Sequence, residues 1–204
     1  MSKRQRWNER YANRALVWSA EPNRLFSTEV ASLEPGRALD IACGEGRNAI
    51  WLAEKGWDVT AVDFSETGID KGKQIARKRG VRVNWIVEDV SVWQPPEDAY
   101  DLVAILYLHT DVQERQKWLT NVIGSVKHGG TLIYIAHDPS NIKDGVGGPQ
   151  DPDQVPGVAE IKNSLGDFQI EIARVTKRPV ENDPGHSKER RGTALDSFVR
   201  ATRL

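Results

Sequence analysis

The 204 residues predict an α/β fold: a doubly wound, mostly parallel sheet of seven strands with one antiparallel C-terminal edge strand, preceded by an N-terminal helical cap. Three observations carry that expectation. Short apolar runs alternate with helix-period segments from residue 37 to residue 136, the rhythm of βαβ units joined by right-handed crossovers. The first run contains Asp40 and passes into Gly44-Glu45-Gly46, a glycine turn between strand and helix of the kind that lets a ligand approach the backbone. Beyond residue 136 the pattern gives way to a Gly/Pro-rich stretch and then to two alternating segments suited to a hairpin.

The elements follow in order. Trp7, Tyr11, Leu16, Val17, Trp18, Leu25, Phe26, Val30 and Leu33 stand among many charges in residues 1–34 and predict two short amphipathic helices broken near Glu21-Pro22. Pro35-Gly36 stops the second. Strands are expected at 38–41, 58–62, 82–87, 102–106 and 131–136, the last after a Gly129-Gly130 turn, all buried on both faces. Helices are expected at 46–55, 66–79 and 112–126, with a loop at 91–99 around Pro95-Pro96. Residues 138–156 read as a long functional loop or lid. Residues 168–177 and 193–202 read as strands of a hairpin whose long turn is 178–191. The whole is expected to be one domain over 1–204, with a cap (1–34), a core (37–136) and a loop plus hairpin (137–204).

Composition excludes several classes of function. Lysine plus arginine number 28 against 29 aspartate plus glutamate, so no net charge favours nucleic acid or an anionic membrane. One cysteine forbids an internal disulfide, and the charged Met1-Ser2-Lys3-Arg4-Gln5-Arg6 has no apolar signal-peptide core behind it. No apolar run approaches the roughly 20 residues that span a bilayer. A cytoplasmic protein is expected, acting without nucleic acid or membrane, its oligomeric state unspecified.

The chemistry concentrates at strand ends. Gly44-Glu45-Gly46-Arg47-Asn48-Ala49 satisfies the G-x-G-x-x-A spacing of a dinucleotide site, and Asp63 ends the second strand where an acid would bind ribose hydroxyls. That spacing fits NAD and S-adenosylmethionine alike. The alternative for Asp63 is a helix-capping role near Ser65. Asp40 would repel a pyrophosphate and attract an ammonium; no Tyr-x-x-x-Lys pair is present; and Glu88-Asp89 closes the third strand with an acceptor for an adenine amino group. These three features favour S-adenosylmethionine.

Leu39-Asp40-Ile41-Ala42-Cys43-Gly44-Glu45-Gly46, Val62-Asp63-Phe64-Ser65, Glu88-Asp89-Val90 and Asp101-Leu102-Val103 resemble the successive motifs of class I S-adenosylmethionine-dependent methyltransferases, a Rossmann-like fold family. The resemblance covers residues 37–204. Within it, Gly44–Asn48 running into Ala49-Ile50-Trp51-Leu52-Ala53, then Tyr107-Leu108-His109, and Gly147-Gly148-Pro149-Gln150-Asp151-Pro152 look most like the small tellurite-resistance-type and thiopurine-methyltransferase-like branch. It implies that Asp40 addresses the methionine end through backbone and water, that Ala42, Cys43 and Gly44 pass beneath the cofactor, and that Asp63, followed by Ser65, binds ribose. It further implies that Phe64 packs on adenine, that Asp89 and the Val90 backbone read its edge, and that Ile105 or Leu106 lies beside the amino acid moiety. Ala42 departs from the family, which places a glycine there; a methyl is tolerated where φ need not be positive. Cys43 reads as a small filler rather than a nucleophile.

Methyl transfer from a sulfonium needs positioning more than protonation, because the thioether leaves unaided. His109 after the fourth strand and His137-Asp138 after the fifth are each either a base or acceptor-orienting group, or loop residues bonded to backbone. A metal site of His109, His137 and Asp138 lacks any short ligand spacing, and no metal is expected. Trp7, Tyr11 and Trp18 form an apolar stripe that can double as a lid over a sulfonium or flat acceptor, with Arg10 and Arg14 beside it. Lys71, Lys73, Arg77, Lys78 and Arg79 read as a solvated helix flank. The expected function is transfer of a methyl group to a small-molecule thiol, oxyanion, phenol or heterocycle. The alternatives are an NAD(P)-dependent oxidoreductase and a non-catalytic S-adenosylmethionine-binding regulator.

Overall fold

The computed structural model describes residues 1–180 and 192–204 and divides into two compact units, Met1–Trp93 and Gln94–Leu204. The boundary falls in the 91–99 loop. There Pro95 and Pro96 lack the N–H groups that a helix or ladder would need.

In the first unit, helix α1 (Lys3–Ala12) opens on a capping box in which Ser2 accepts from the Gln5 N–H and the Gln5 side chain accepts from the Ser2 N–H. Helix α2 (Arg24–Val30) is capped by Asn23 and buries Phe26 and Val30. Strands β1 (Arg37–Ile41), β2 (Asp58–Asp63) and β3 (Asn84–Val87) pair in parallel in the order β3-β2-β1, with helices α3 (Arg47–Glu54) and α4 (Glu66–Lys78) as crossovers. The apolar runs of β1 and β2 are buried as continuous apolar strands should be. Strand β3 is not. Its four residues are exposed or half-buried, as suits an outer strand, which corrects the expectation that all five parallel strands are enclosed.

In the second unit, β4 (Tyr100–Leu106) and β5 (Val126–His137) run parallel around helix α5 (Val112–Gly124). Strand β5 starts five residues earlier than its apolar run suggests. The register jumps from Tyr100↔Val126 to Leu102↔Thr131, so Gly129-Gly130 forms a bulge within the strand rather than a turn before it. A Cβ on Gly130 would lie 3.0 Å from the Tyr100 carbonyl oxygen, which explains the missing side chain. Residues 138–156 are not wholly loop: they include a single helical turn, α6 (Asn141–Asp144), and a 3-10 turn at Pro152–Gln154. Helix α7 (Val158–Asn163) follows, a segment too short for its period to stand out.

Strands β6 (Phe168–Pro179) and β7 (Thr193–Arg203) form the expected hairpin. Strand order in this unit is β4-β5-β7-β6, so the strand antiparallel to β5 sits inside and β6 forms the outer edge. The expected turn at 178–191 lies largely outside the described residues, of which Arg178 and Pro179 belong to β6. Among the described residues no helix is long and apolar enough to cross a membrane.

Candidate functional site

The first constellation lies in the Met1–Trp93 unit, around the turn after β1. Asp40 is fully buried and its Oδ2 accepts from the Ala49 N–H at 3.1 Å, holding the start of α3 over the strand end. Burial pushes its carboxyl up to about 7, the Ala49 bond and the Arg47 charge pulling back only partly. Asp63 accepts from the Ser65 N–H on Oδ1 and from the Gly44 N–H on Oδ2, each at 2.8 Å. It thus shapes the turn into α4, whose cap is Ser65, and also ties the glycine turn to β2. Burial raises its carboxyl as well. Each carboxylate oxygen retains acceptor capacity beyond these bonds.

Ala42 has φ 54, the left-handed conformation that its family's glycine would take. The premise that a methyl is harmless there because φ stays negative is therefore corrected: the position is strained by roughly 1 kcal/mol. Cys43 is buried between strand end and turn, and burial raises its thiol, which makes it an inert filler. The glycines answer to this chain's own packing. A Cβ on Gly44 would come within 2.5 Å of the Tyr11 hydroxyl oxygen, and one on Gly46 within 2.2 Å of the Trp85 ring.

Tyr11 belongs to the aromatic stripe, which docks as expected. Trp7 lies 5.5 Å from Tyr11 and 6.3 Å from Trp18, with the Arg10 guanidinium 4.8 Å from the Trp7 ring and 5.1 Å from that of Trp18. The Tyr11 hydroxyl is bonded to the Trp18 side chain, and burial raises its pKa. Glu45, between the two glycines, clasps this cap: Oε2 accepts from the Val17 and Trp18 N–H groups at 2.9 and 3.2 Å, and Oε1 meets Lys71 Nζ at 3.3 Å. Lys71 also donates to the Tyr11 and Arg14 carbonyls, so it is no mere solvated flank residue. Asn48 adds a second tie, accepting from the Asn23 N–H at 2.8 Å.

Ser65 caps α4 through the Gly68 N–H and donates to Asn8 Oδ1 at 2.6 Å, so its hydroxyl serves the fold. Phe64 is half-buried. Asp89 Oδ1 accepts from the Ser91 N–H and hydroxyl, an Asx turn that leaves Oδ2 with no bond in the described network, beside a buried Val90.

The second constellation lies wholly in the Gln94–Leu204 unit, where Ile105 and Leu106 are both buried in β4. His137 Nδ1 and His109 Nε2 are 3.1 Å apart. The Tyr107 ring centroid lies 5.1 Å from that of His137, and the Tyr107 hydroxyl donates to Asp196 Oδ2 at 2.8 Å. Arg178 Nε meets the same oxygen at 2.7 Å, its guanidinium stands 5.2 Å from the Tyr107 ring, and a terminal nitrogen lies 3.5 Å from His137 Nε2. Burial, with the second imidazole beside it, pushes His109 down to about 3. Asp196 Oδ1 and the Thr176 hydroxyl, directly opposite across β6 and β7, have no hydrogen-bond partner among the described residues. Tyr107 itself has φ 56. Gly148 allows the 147–149 turn to close on His137, since a Cβ there would lie 2.7 Å from the imidazole.

Asp138 does not join them: its carboxylate accepts from Ser140 and Ser197. The two imidazoles direct nitrogens at each other rather than converging on a point, and among the described residues no group of three or more His, Cys, Asp or Glu is placed to hold a metal.

The sequence assigned no role to Tyr107, Arg178, Asp196 or Glu45, although Tyr107 and Glu45 stand within its motifs. Asp196 is 1% exposed in a strand whose apolar alternation puts it on the outer face, and Glu45 occupies a variable position of the glycine turn. No sequence signal says which way Glu45 faces, because a turn position carries no period.

Residues 38–130 match the family of methyltransferase domains. The matched segment spans less than half of the chain. It contains the glycine turn, Asp40, Asp63, Asp89 and His109, whereas the cap and the β6-β7 hairpin lie outside it. The chain is similar to the ubiquinone biosynthesis O-methyltransferase of Rickettsia felis, 33% identical over 95 residues, which are 47% of this chain and 38% of that protein. The protein of the same name from Coxiella burnetii is 29% identical over 114 residues, 55% of this chain and 49% of that one. The chain thus spans less than half the length of these curated relatives. Among solved structures, TehB from Haemophilus influenzae superposes with a TM-score of 0.73 at 16% identity, over 100% of this chain and 68% of that one. Magnesium protoporphyrin IX methyltransferase from Synechocystis, solved with SAM bound, gives 0.63 at 18% identity, over 99% and 83%. At such identities the likeness is one of fold alone, and it covers the cap and the hairpin as well as the matched segment.

Proposed function

We propose that this chain transfers a methyl group from S-adenosylmethionine to a small-molecule acceptor, working as one domain over residues 1–204. The observation that carries the reading is Asp40: a wholly buried carboxyl, bonded to one backbone N–H, whose ionisation burial opposes and a cationic ligand would favour. That donor chemistry fits the ammonium and sulfonium of S-adenosylmethionine and opposes the pyrophosphate of a dinucleotide, which argues against an oxidoreductase.

In this reading Asp40 addresses the methionine end and Asp63 receives the ribose hydroxyls on its remaining lone pairs. Asp89 Oδ2 and the Val90 backbone take the adenine edge, and Phe64 packs on its face. Ala42, Cys43 and Gly44 form the floor, Ser65 sets the start of α4, and Trp7, Tyr11 and Trp18 form the lid. The bound cofactor supplies the electrophilic methyl; the protein orients it and excludes water. His109 and His137 belong to the acceptor. The small tellurite-resistance-type branch remains the nearer comparison by motif, and the relatives' acceptors are not carried over.

Thermal denaturation decides between the cofactors. S-adenosylhomocysteine is expected to raise Tm with the logarithm of its concentration above Kd, NAD and NADP to leave it unchanged, and Asp63→Ala to abolish the shift. Stabilisation by the dinucleotide alone reverses the assignment. Binding of S-adenosylhomocysteine with no methylation across thiol, phenol, carboxylate and heterocycle panels leaves the regulator.

A further inference from the structure

Indole and guanidinium nitrogens donate hydrogen bonds and never accept them, and that fixes what the cap offers to a ligand. The Trp18 indole is bonded to the Tyr11 hydroxyl, so Trp18 gives the hydrogen and the Tyr11 oxygen receives it. Tyr11 keeps its own hydrogen. Among the described residues that O–H has no acceptor, although Tyr11 is only 4% exposed. Asp63 lies near enough for its charge to raise the phenol, but its oxygens are turned to the Gly44 and Ser65 N–H groups. Burial and that charge keep Tyr11 neutral and therefore a donor. The hydroxyl stands over the glycine turn, where a Cβ on Gly44 would come within 2.5 Å of its oxygen and 3.7 Å of Trp18 Nε1. A buried donor left over beside such a turn marks a place for a ligand oxygen.

Arg10, one residue earlier, is prepared in another way. Its guanidinium lies 4.8 Å from the Trp7 ring centroid and 5.1 Å from that of Trp18. Ring contacts of this kind hold a guanidinium without consuming its N–H donors. No hydrogen bond or ion pair engages Arg10 among the described residues. Trp18 is itself fixed twice, its backbone N–H by Glu45 and its indole by Tyr11, so the cradle is set before a ligand arrives. All of these groups belong to the Met1–Trp93 unit.

We propose, resting on the methyltransferase reading, that Tyr11 and Arg10 determine specificity by taking the carboxylate at the amino acid end of the cofactor, so that this chain selects the carboxylate-bearing cofactor over its decarboxylated form. The carboxylate accepts the Tyr11 hydrogen and faces the Arg10 charge. Asp40 and Asp63 cannot supply this selection. As acids they favour whichever ligand is more positive, which is the decarboxylated one. Discrimination against it comes from the cap, where a missing carboxylate leaves the Tyr11 donor buried and unmet.

Calorimetric titration of the full-length chain with S-adenosylhomocysteine, its decarboxylated form and methylthioadenosine reads this without turnover. S-adenosylhomocysteine is expected to bind about 100-fold more tightly than the decarboxylated form. Tyr11→Phe keeps the ring on Gly44 and is expected to weaken S-adenosylhomocysteine about 20-fold and the two carboxylate-free ligands less than about 3-fold. Arg10→Gln is expected to weaken S-adenosylhomocysteine about 5-fold, an effect that shrinks with added salt. Tyr11→Phe also strands the Trp18 indole hydrogen, and a merely structural loss would weaken all three ligands alike. That result overturns the proposal, as does either variant that retains the parent's full preference for the carboxylate. Binding of all three by the parent without preference overturns the proposal alone, whereas binding of none overturns the methyltransferase reading and the proposal with it.

Discussion

Each unit of this protein is organised around a buried carboxylate paired with a cation, and the two are satisfied in different ways. Glu45 is held by backbone: two N–H groups of the cap and one lysine fill it, and Lys71 in turn reaches two further carbonyls. Asp196 is held by side chains, the Tyr107 hydroxyl and Arg178, and one of its oxygens has no hydrogen-bond partner among the described residues. A backbone clasp tolerates change in the surrounding side chains, whereas a side-chain cluster changes with each substitution. Under the proposed function, the first arrangement suits a site for a fixed cofactor and the second a site for the acceptor.

The largest effect expected is at Asp40. Its folded pKa of about 7 stands above the unfolded value near 3.8, so the group contributes stability that is full below the unfolded value and lost as pH rises to about 7. Asp40→Asn removes that loss. Its stability relative to the unmutated protein is expected to improve by roughly 1.4 kcal/mol per pH unit between pH 4 and 7 and to level off above, while S-adenosylhomocysteine binding weakens. A difference independent of pH, measured by urea denaturation, would detach Asp40 from ligand chemistry and break the comparison.

Glu45→Ala comes next. It strands the buried Val17 N–H and unpairs Lys71, at a cost of about 3 kcal/mol. Limited proteolysis is expected to cut near Arg14 in the variant only; resistance equal to the parent would mean that Asn48 and the aromatics hold the cap alone. Asp196→Asn keeps the shape but discharges the partner of Arg178, costing about 2 kcal/mol. Calorimetry is expected to show unchanged cofactor affinity together with altered acceptor kinetics, so lost cofactor binding would erase the contrast between units. The smallest is Ala42→Gly, a gain of about 1 kcal/mol as left-handed strain is relieved against the entropy of a new glycine. A loss on chemical denaturation would show that the methyl packs well enough to outweigh the strain.

Much of the site was legible because strand ends announce themselves. Asp40 lies near the end of β1 and Asp63 closes β2, each ahead of a helix that begins on schedule, and Asp89 stands just beyond β3. The sheet was readable for the same reason, except where burial rather than pattern sets the outcome: β3 is outer, and β5 runs through the bulge at Gly129-Gly130. The Ala42 departure was visible, but its φ was not, since an alanine carries no mark of the left-handed region.

By itself, then, the order of residues determined the alternation of strands and helices, the glycine turn and the acids at the strand ends, because those depend on local periodicity and on neighbours a few positions apart. Only the tertiary structure decided that Tyr11 sits on Gly44, that Glu45 clasps the cap, and that His109 meets His137 within reach of Arg178. These contacts join residues 27 to 41 positions apart, and what selects them is the burial of charge and ring surface, which no sequence interval encodes.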